Sequence, residues 1–211
     1  MSIPPVIVNT ARKGWKWQWN QLMNGLAPSD LDGNYRRQTN EHQKLIIPKE
    51  SSLRRRSFHQ LPRLLIGRSC PWAHRTWLIH QLRGLEETIP LMILEVDREA
   101  GQWKLKEPWL GCNSLKSLYN ICDSNKKLRS TVPLIVDPGE TNDERPKIIG
   151  NESANLVKVL NEWPTNRSVT DLNPELYKKE INNWHDLLQN SVNDGVYRCG
   201  FARTQKAYNK A

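Results

Sequence analysis

An apolar run, a cysteine, a proline and a helix-forming run follow one another between Leu64 and Gly84, and no other feature of the 211-residue chain constrains its fold as tightly. Leu64-Leu65-Ile66 reads as a buried strand, and the stretch 71–83 reads as a helix that ends at Gly84. Cys70 stands at the junction, where the first helical N–H groups have no intrahelical partner. Pro71 suits the first helical position, since its missing N–H would have had no partner there. The free donors and the positive helix end favour thiolate over thiol, and Arg68, His74 and Arg75 add positive or protonatable groups nearby. Such a cysteine is able to attack sulfur at neutral pH. Position 73 is Ala, so the Cys-x-x-Cys spacing is absent and any disulfide chemistry is monothiol: a mixed disulfide with one external thiol, resolved by another. The competing reading of Cys70 is a small buried core residue.

From about 61 to 155 strands and helices alternate. Strands are expected at 64–66, 90–96, 131–136 and 147–149, with helices at 71–83, 114–121 and from Asn151 onward. Leu115, Leu118 and Tyr119 share one helical face, as do Leu156, Val157 and Leu160. The order implies a small mixed sheet flanked by helices, an α/β fold. Pro133 inside the third strand conflicts with ladder hydrogen bonding. Either a cis Val132–Pro133 bond or a trans proline opening the strand resolves the conflict.

Residues 1–60 read as an extension rich in Asn, Gln, Arg, Ser and Pro. Within it, Trp15-Lys16-Trp17-Gln18-Trp19 alternates indoles with polar residues, which would align all three on one face of an extended segment. That arm is expected to press on the body of the protein; the alternative is a base-stacking platform for single-stranded nucleic acid. Arg54-Arg55-Arg56 reads as a solvated loop. Beyond 163, Tyr177, Ile181, Trp184, Leu187 and Leu188 mark a helix opened by Pro174 and ended at Asp194-Gly195, with a further helix after Gly200. These segments divide the chain into 1–60, 61–163 and 164–211.

The net charge of +9 would suit nucleic acid, but the basic residues are scattered rather than arranged along a stripe, and a positive field equally attracts a small anionic substrate. No apolar run approaches bilayer-spanning length, and the N-terminus lacks the apolar centre of a signal peptide. Cysteines 70, 112, 122 and 199 show no framework spacing, which points to free thiols in a reducing, cytoplasmic setting. Cys70 and His74 lie one turn apart, yet without paired ligands elsewhere no metal site is expected.

Five elements in register resemble the glutathionyl-hydroquinone reductases, the xi class of glutathione transferases. They are Ser69-Cys70-Pro71-Trp72-Ala73-His74-Arg75-Thr76, Val132-Pro133, Asn151-Glu152-Ser153, Asn193-Asp194-Gly195-Val196-Tyr197, and Gly200-Phe201-Ala202 with Gln205 and Ala207-Tyr208. The resemblance implies a thioredoxin-like domain followed by the beginning of an all-helical domain, with glutathione as co-substrate and its sulfur beside Cys70. It implies that Val132 pairs with the glutathione backbone, that Glu152 and Ser153 hold the γ-glutamyl end, that Trp103 lies near the glutathione, and that Tyr197 faces an aromatic substrate. Ser153 at a helix start suits a carboxylate, and Glu152 suits an ammonium. The implied activity is reduction of glutathionyl-hydroquinones through a Cys70–glutathione mixed disulfide. The alternatives are a glutaredoxin-like deglutathionylase or dehydroascorbate reductase, or a non-catalytic glutathione-binding module. The resemblance also implies a longer, homodimeric protein, with most of the helical domain and the dimer contacts expected outside these residues. The segment Leu134-Ile135-Val136-Asp137 also lacks the tryptophan common in the family before that aspartate.

Overall fold

The computed structural model describes residues 4–37, 45–124, 129–141 and 143–211; the leading Met1-Ser2-Ile3 lies outside them. Two compact units emerge, one formed by Met1–Thr39 with Glu175–Ala211 and the other by Asn40–Pro174. These bounds cut the chain differently from the divisions at 60 and 163.

The second unit is built on one six-stranded sheet. Strands β1 (Arg63–Gly67), β2 (Leu91–Asp97), β3 (Gln102–Trp109), β4 (Cys112–Ser114), β5 (Leu134–Asp137) and β6 (Lys147–Gly150) lie in the order β4-β3-β2-β1-β5-β6. β1 and β2 are parallel, which requires a crossover between them, and the helix at 71–82 supplies it. All other neighbours are antiparallel. Leu64, Leu65 and Ile66 are fully buried, as are Leu134, Ile135 and Val136. These continuous apolar runs reflect strands covered on both faces. Each such side chain contributes about 1.5–3 kcal/mol through burial. The arrangement is the expected thioredoxin-like one, a mixed sheet whose single parallel pair is joined by a crossover helix.

Three helices complete the sheet unit's core. The first six-residue-and-longer helix after β1 spans Pro71–Leu82, with Gly84 behind it at φ +57, where a side chain would cost energy. The next spans Leu115–Cys122; Ser114 caps it, its hydroxyl accepting from the Ser117 N–H at 3.2 Å while the Ser114 N–H donates back to the Ser117 hydroxyl at 3.2 Å. The third spans Ser153–Glu162 and buries Leu156, Val159 and Leu160. Counting from the N-terminus, where helices Pro5–Leu26 (α1) and Glu50–Leu53 (α2) come first, these three are α3, α4 and α5.

The β3–β4 hairpin was not anticipated. Trp103 and Leu105 alternate with lysines, a period-two signal that Pro108 and the intervening charges obscure. Arg56 also departs from expectation. It is not solvated: its side chain is 7% exposed, donates to Asp137 at 2.6 Å, and reaches Glu140 at 3.4 Å. Ser52 donates to the same Glu140 carboxylate at 2.5 Å, and these bonds, the Ser52 one foremost, hold its pKa below the usual range. Residues 50–60 are thereby fastened to the end of β5.

The first unit is helical. α1 replaces the expected extended arm, because Pro5 fits a helix start and no further proline interrupts it before Leu26. In a helix the alternating indoles separate, and Trp15, Trp17 and Trp19 are all at least half exposed rather than pressed on a surface. Helix α6 (Lys178–Leu188) follows a short 3-10 turn at Glu175–Tyr177. Asp194-Gly195 does not end the helical run. A π-helical turn, Gln189–Asn193, carries it into α7 (Asp194–Gly200). α8 (Gln205–Lys210) is capped by the Thr204 hydroxyl, which accepts from the Ala207 N–H at 3.1 Å. Arg203 ties this end to α1, donating to Asn24 at 2.6 Å and to the Ala27 carbonyl at 3.2 Å. No helix among the described residues is long and apolar enough to cross a membrane.

Candidate functional site

Cys70 occupies the cap position of α3. Its N–H bonds the Gly67 carbonyl at 3.0 Å, turning the chain out of β1, and its carbonyl accepts the first helical bond from His74 at 3.0 Å. The half-buried thiol donates to the Val132 carbonyl at 3.6 Å. The Val132–Pro133 bond is cis, and β5 begins at the next residue. Of the two readings of Pro133 the cis bond holds and the trans one does not, and the proline stands before the strand rather than within it.

Glu152 caps α5 and Ser153 is its first residue, 2% exposed. Arg75, one turn into α3, reaches across to both. Its Nη2 donates to the Ser153 hydroxyl at 2.5 Å and lies 3.9 Å from the Glu152 carboxylate. Its guanidinium also stacks over the Trp72 ring, 5.0 Å from the centroid. The starts of the two helices, each with unpaired N–H groups and a positive dipole end, are linked through one cation.

Behind them lies a buried polar chain. The Tyr119 hydroxyl donates to the Thr131 carbonyl at 3.0 Å and accepts from the Asn151 amide at 3.2 Å. It thus joins the residue before Val132 to the residue before Glu152. Burial pushes the Tyr119 pKa up, so the hydroxyl keeps its proton as donor.

Trp103, on β3, pairs with Val96 of β2, and its indole covers Gly67, where any Cβ would overlap the ring. A groove of about 800 Å³ runs beside it, lined among others by Arg68, Ser69, Met92, Ile93 and Trp103. Tyr197 lies in the helical unit, on α7. Its ring stacks on Tyr35 at 6.5 Å and sits 6.0 Å from Phe201.

Of the residues singled out from sequence, Cys70 and Val132 touch directly, and Glu152 and Ser153 are joined to the Cys70 helix through Arg75. Arg75 as a bridge, Tyr119, Asn151 and Tyr35 were missed. Arg75 carries a signal, since it lies in the cysteine octapeptide, but its charge alone does not show that it bridges two helix starts. The other thiols are differently placed. Cys112 is buried, and burial, with Cys112 nearby, pushes the Cys122 pKa up to about 12. All four cysteines are free. Among the described residues no three His, Cys, Asp or Glu side chains gather to hold a metal ion.

Residues 69–163 match the family "Glutathione S-transferase, N-terminal domain". The chain is 30% identical over 197 residues to "Glutathione S-transferase omega-like 2" of Schizosaccharomyces pombe, covering 86% of this chain and 60% of that one. It is 28% identical to "Glutathionyl-hydroquinone reductase YqjG" of Escherichia coli, over 70% of this chain and 47% of that one. The glutathione-bound structure of YqjG is similar at 26% identity and TM-score 0.59, over 85% of this chain and 56% of that one. The glutathione S-transferase Xi from Phanerochaete chrysosporium superposes with TM-score 0.71 at 27% identity, over 87% of this chain and 60% of that one. The chain thus spans about half to three-fifths of the length of these relatives.

Proposed function

We propose that the chain, which is similar over residues 69–163 to the glutathione S-transferase N-terminal domain and more widely to xi-class glutathione transferases, binds glutathione and reduces glutathionyl-hydroquinones through Cys70. The Cys70 thiolate attacks the sulfur of the conjugate. The aryl carbon–sulfur bond breaks, its electron pair remains on the aryl carbon, which takes up a proton, and the hydroquinone leaves. A Cys70–glutathione mixed disulfide remains. The thiolate of a second glutathione attacks that disulfide, glutathione disulfide departs, and the Cys70 thiolate is restored.

In this reading the Val132 backbone pairs with the cysteinyl backbone of glutathione. Ser153 and the start of α5 take the γ-glutamyl carboxylate, and Glu152 takes the ammonium. Trp103 borders the glutathione. The observation that carries the proposal is the placement of Cys70: a single thiol capping a helix, 3.6 Å from the Val132 carbonyl, with Ala at the position a second redox cysteine would need.

The test is hydroquinone release from a glutathionyl-hydroquinone, followed in single-cysteine variants. Cys70→Ala and Cys70→Ser are expected to abolish it, the alcohol being unable to form the mixed disulfide. Cys112→Ala, Cys122→Ala and Cys199→Ala are expected to retain most of it. Turnover surviving in Cys70→Ala would overturn the reading.

A further inference from the structure

We infer that Arg75 sets the specificity of the site for the α-carboxylate of the γ-glutamyl group, acting through Ser153. The inference rests on the glutathione reading above and assigns a role to a residue that reading does not use. Three observations converge on it. Arg75 Nη2 donates to the Ser153 hydroxyl at 2.5 Å, so one lone pair of that oxygen is engaged and its proton is left to point elsewhere. A hydroxyl that accepts from a guanidinium becomes a better donor, because the bonds polarise one another. The same guanidinium lies 3.9 Å from the Glu152 carboxylate, the group assigned to the ammonium, and restrains it electrostatically.

The stack on Trp72 fixes the plane of the guanidinium. Trp72 and Arg75 both belong to α3, the helix that Cys70 caps. The hydroxyl that meets the γ-glutamyl end is therefore oriented from the helix that carries the thiol. A lysine would keep the charge at position 75, but not the planar fork that stacks on one residue while donating to another. Arg75 is a positioning residue: it orients Ser153 and meets the bound carboxylate electrostatically, and the sulfur chemistry stays with Cys70.

Calorimetry on the full chain separates this role from a merely structural one. The probes are S-methylglutathione, which cannot form a disulfide, and its analogue lacking the γ-glutamyl α-carboxylate. Arg75→Gln is expected to weaken S-methylglutathione binding by about ten- to a hundredfold, the range of a hydrogen bond to a charged group. The same substitution is expected to leave binding of the decarboxylated analogue within about twofold, and Arg75→Lys is expected to fall between. Equal losses for the two ligands would overturn the assignment, since a general loosening of the site does not distinguish them. Failure of the unaltered protein to bind S-methylglutathione at all would overturn the glutathione reading, and this inference with it.

Discussion

The hydroxyl of Tyr119 donates to the carbonyl of Thr131 at 3.0 Å, and its oxygen takes the Asn151 amide at 3.2 Å. One phenol on α4 thereby fixes the spacing between the Val132 segment and the start of α5. Tyr119→Phe removes both bonds and leaves the Asn151 donor buried without this partner. The expected loss of stability is about 1–3 kcal/mol, read as a lower urea midpoint. The variant is also expected to bind glutathione more weakly, although Tyr119 itself is buried away from solvent. Unchanged stability and binding would show that backbone packing alone holds the two segments.

His80 gives the fold a pH dependence. It is fully buried on α3; its Nε2 bonds the Ile89 carbonyl at 2.8 Å, and Gln81 lies 3.1 Å from Nδ1. Burial lowers its pKa below the reference value of 6.5. The folded state therefore takes up the proton less readily than the unfolded chain, and each step down in pH below about 6.5 favours unfolding. Above that value both states are neutral at His80, and it contributes no slope. Urea midpoints are expected to fall between pH 7.5 and 5, and His80→Gln is expected to flatten the part of the slope that His80 supplies. An unaltered slope in that variant would assign the dependence to other groups.

Much of the sheet unit was legible from local pattern. The strand–Cys70–Pro71–helix succession, the helix start at 114 and the apolar face of α4 are each written within a dozen residues, where periodicity operates; on α5 Leu156 and Leu160 are buried as expected, but Val159, at i+3, takes the place expected for Val157. The remainder depends on long-range partners. Arg56 reads as one of three solvated arginines until Asp137, 81 residues away, is known to face it. The three indoles at 15–19 fit an extended strand by period, but helix formation over Pro5–Leu26 separates them. Asp194-Gly195 is a turn signal that the π-helical turn before it carries through as helix. Within the candidate site, Cys70 stands out by its place at a strand–helix junction, whereas the roles of Val132, Glu152 and Ser153 follow from the family resemblance. The bridge made by Arg75 and the Tyr119–Asn151 link could not be read, because neither partner's distance is encoded in spacing along the chain.

Thiol reactivity offers a further prediction. With its pKa pushed up to about 12, Cys122 holds very little thiolate at pH 8, on the order of one molecule in ten thousand. Alkylation with iodoacetamide at pH 8, followed by peptide mass spectrometry, is expected to find Cys122 unmodified while Cys70 is labelled, and pre-incubation with S-methylglutathione is expected to slow labelling of Cys70 alone. Comparable labelling of both in the folded protein would contradict the environment described for Cys122.

The mixed disulfide itself is the most direct measure of the proposed chemistry. The protein is mixed with a glutathionyl-hydroquinone in the absence of free glutathione, quenched with acid, and digested for mass spectrometry. The expected result is one glutathionyl group on the Cys70 peptide, formed together with one equivalent of hydroquinone and removed on addition of glutathione with release of glutathione disulfide. Hydroquinone released without any adduct on Cys70, or an adduct confined to Cys112, Cys122 or Cys199, would contradict it.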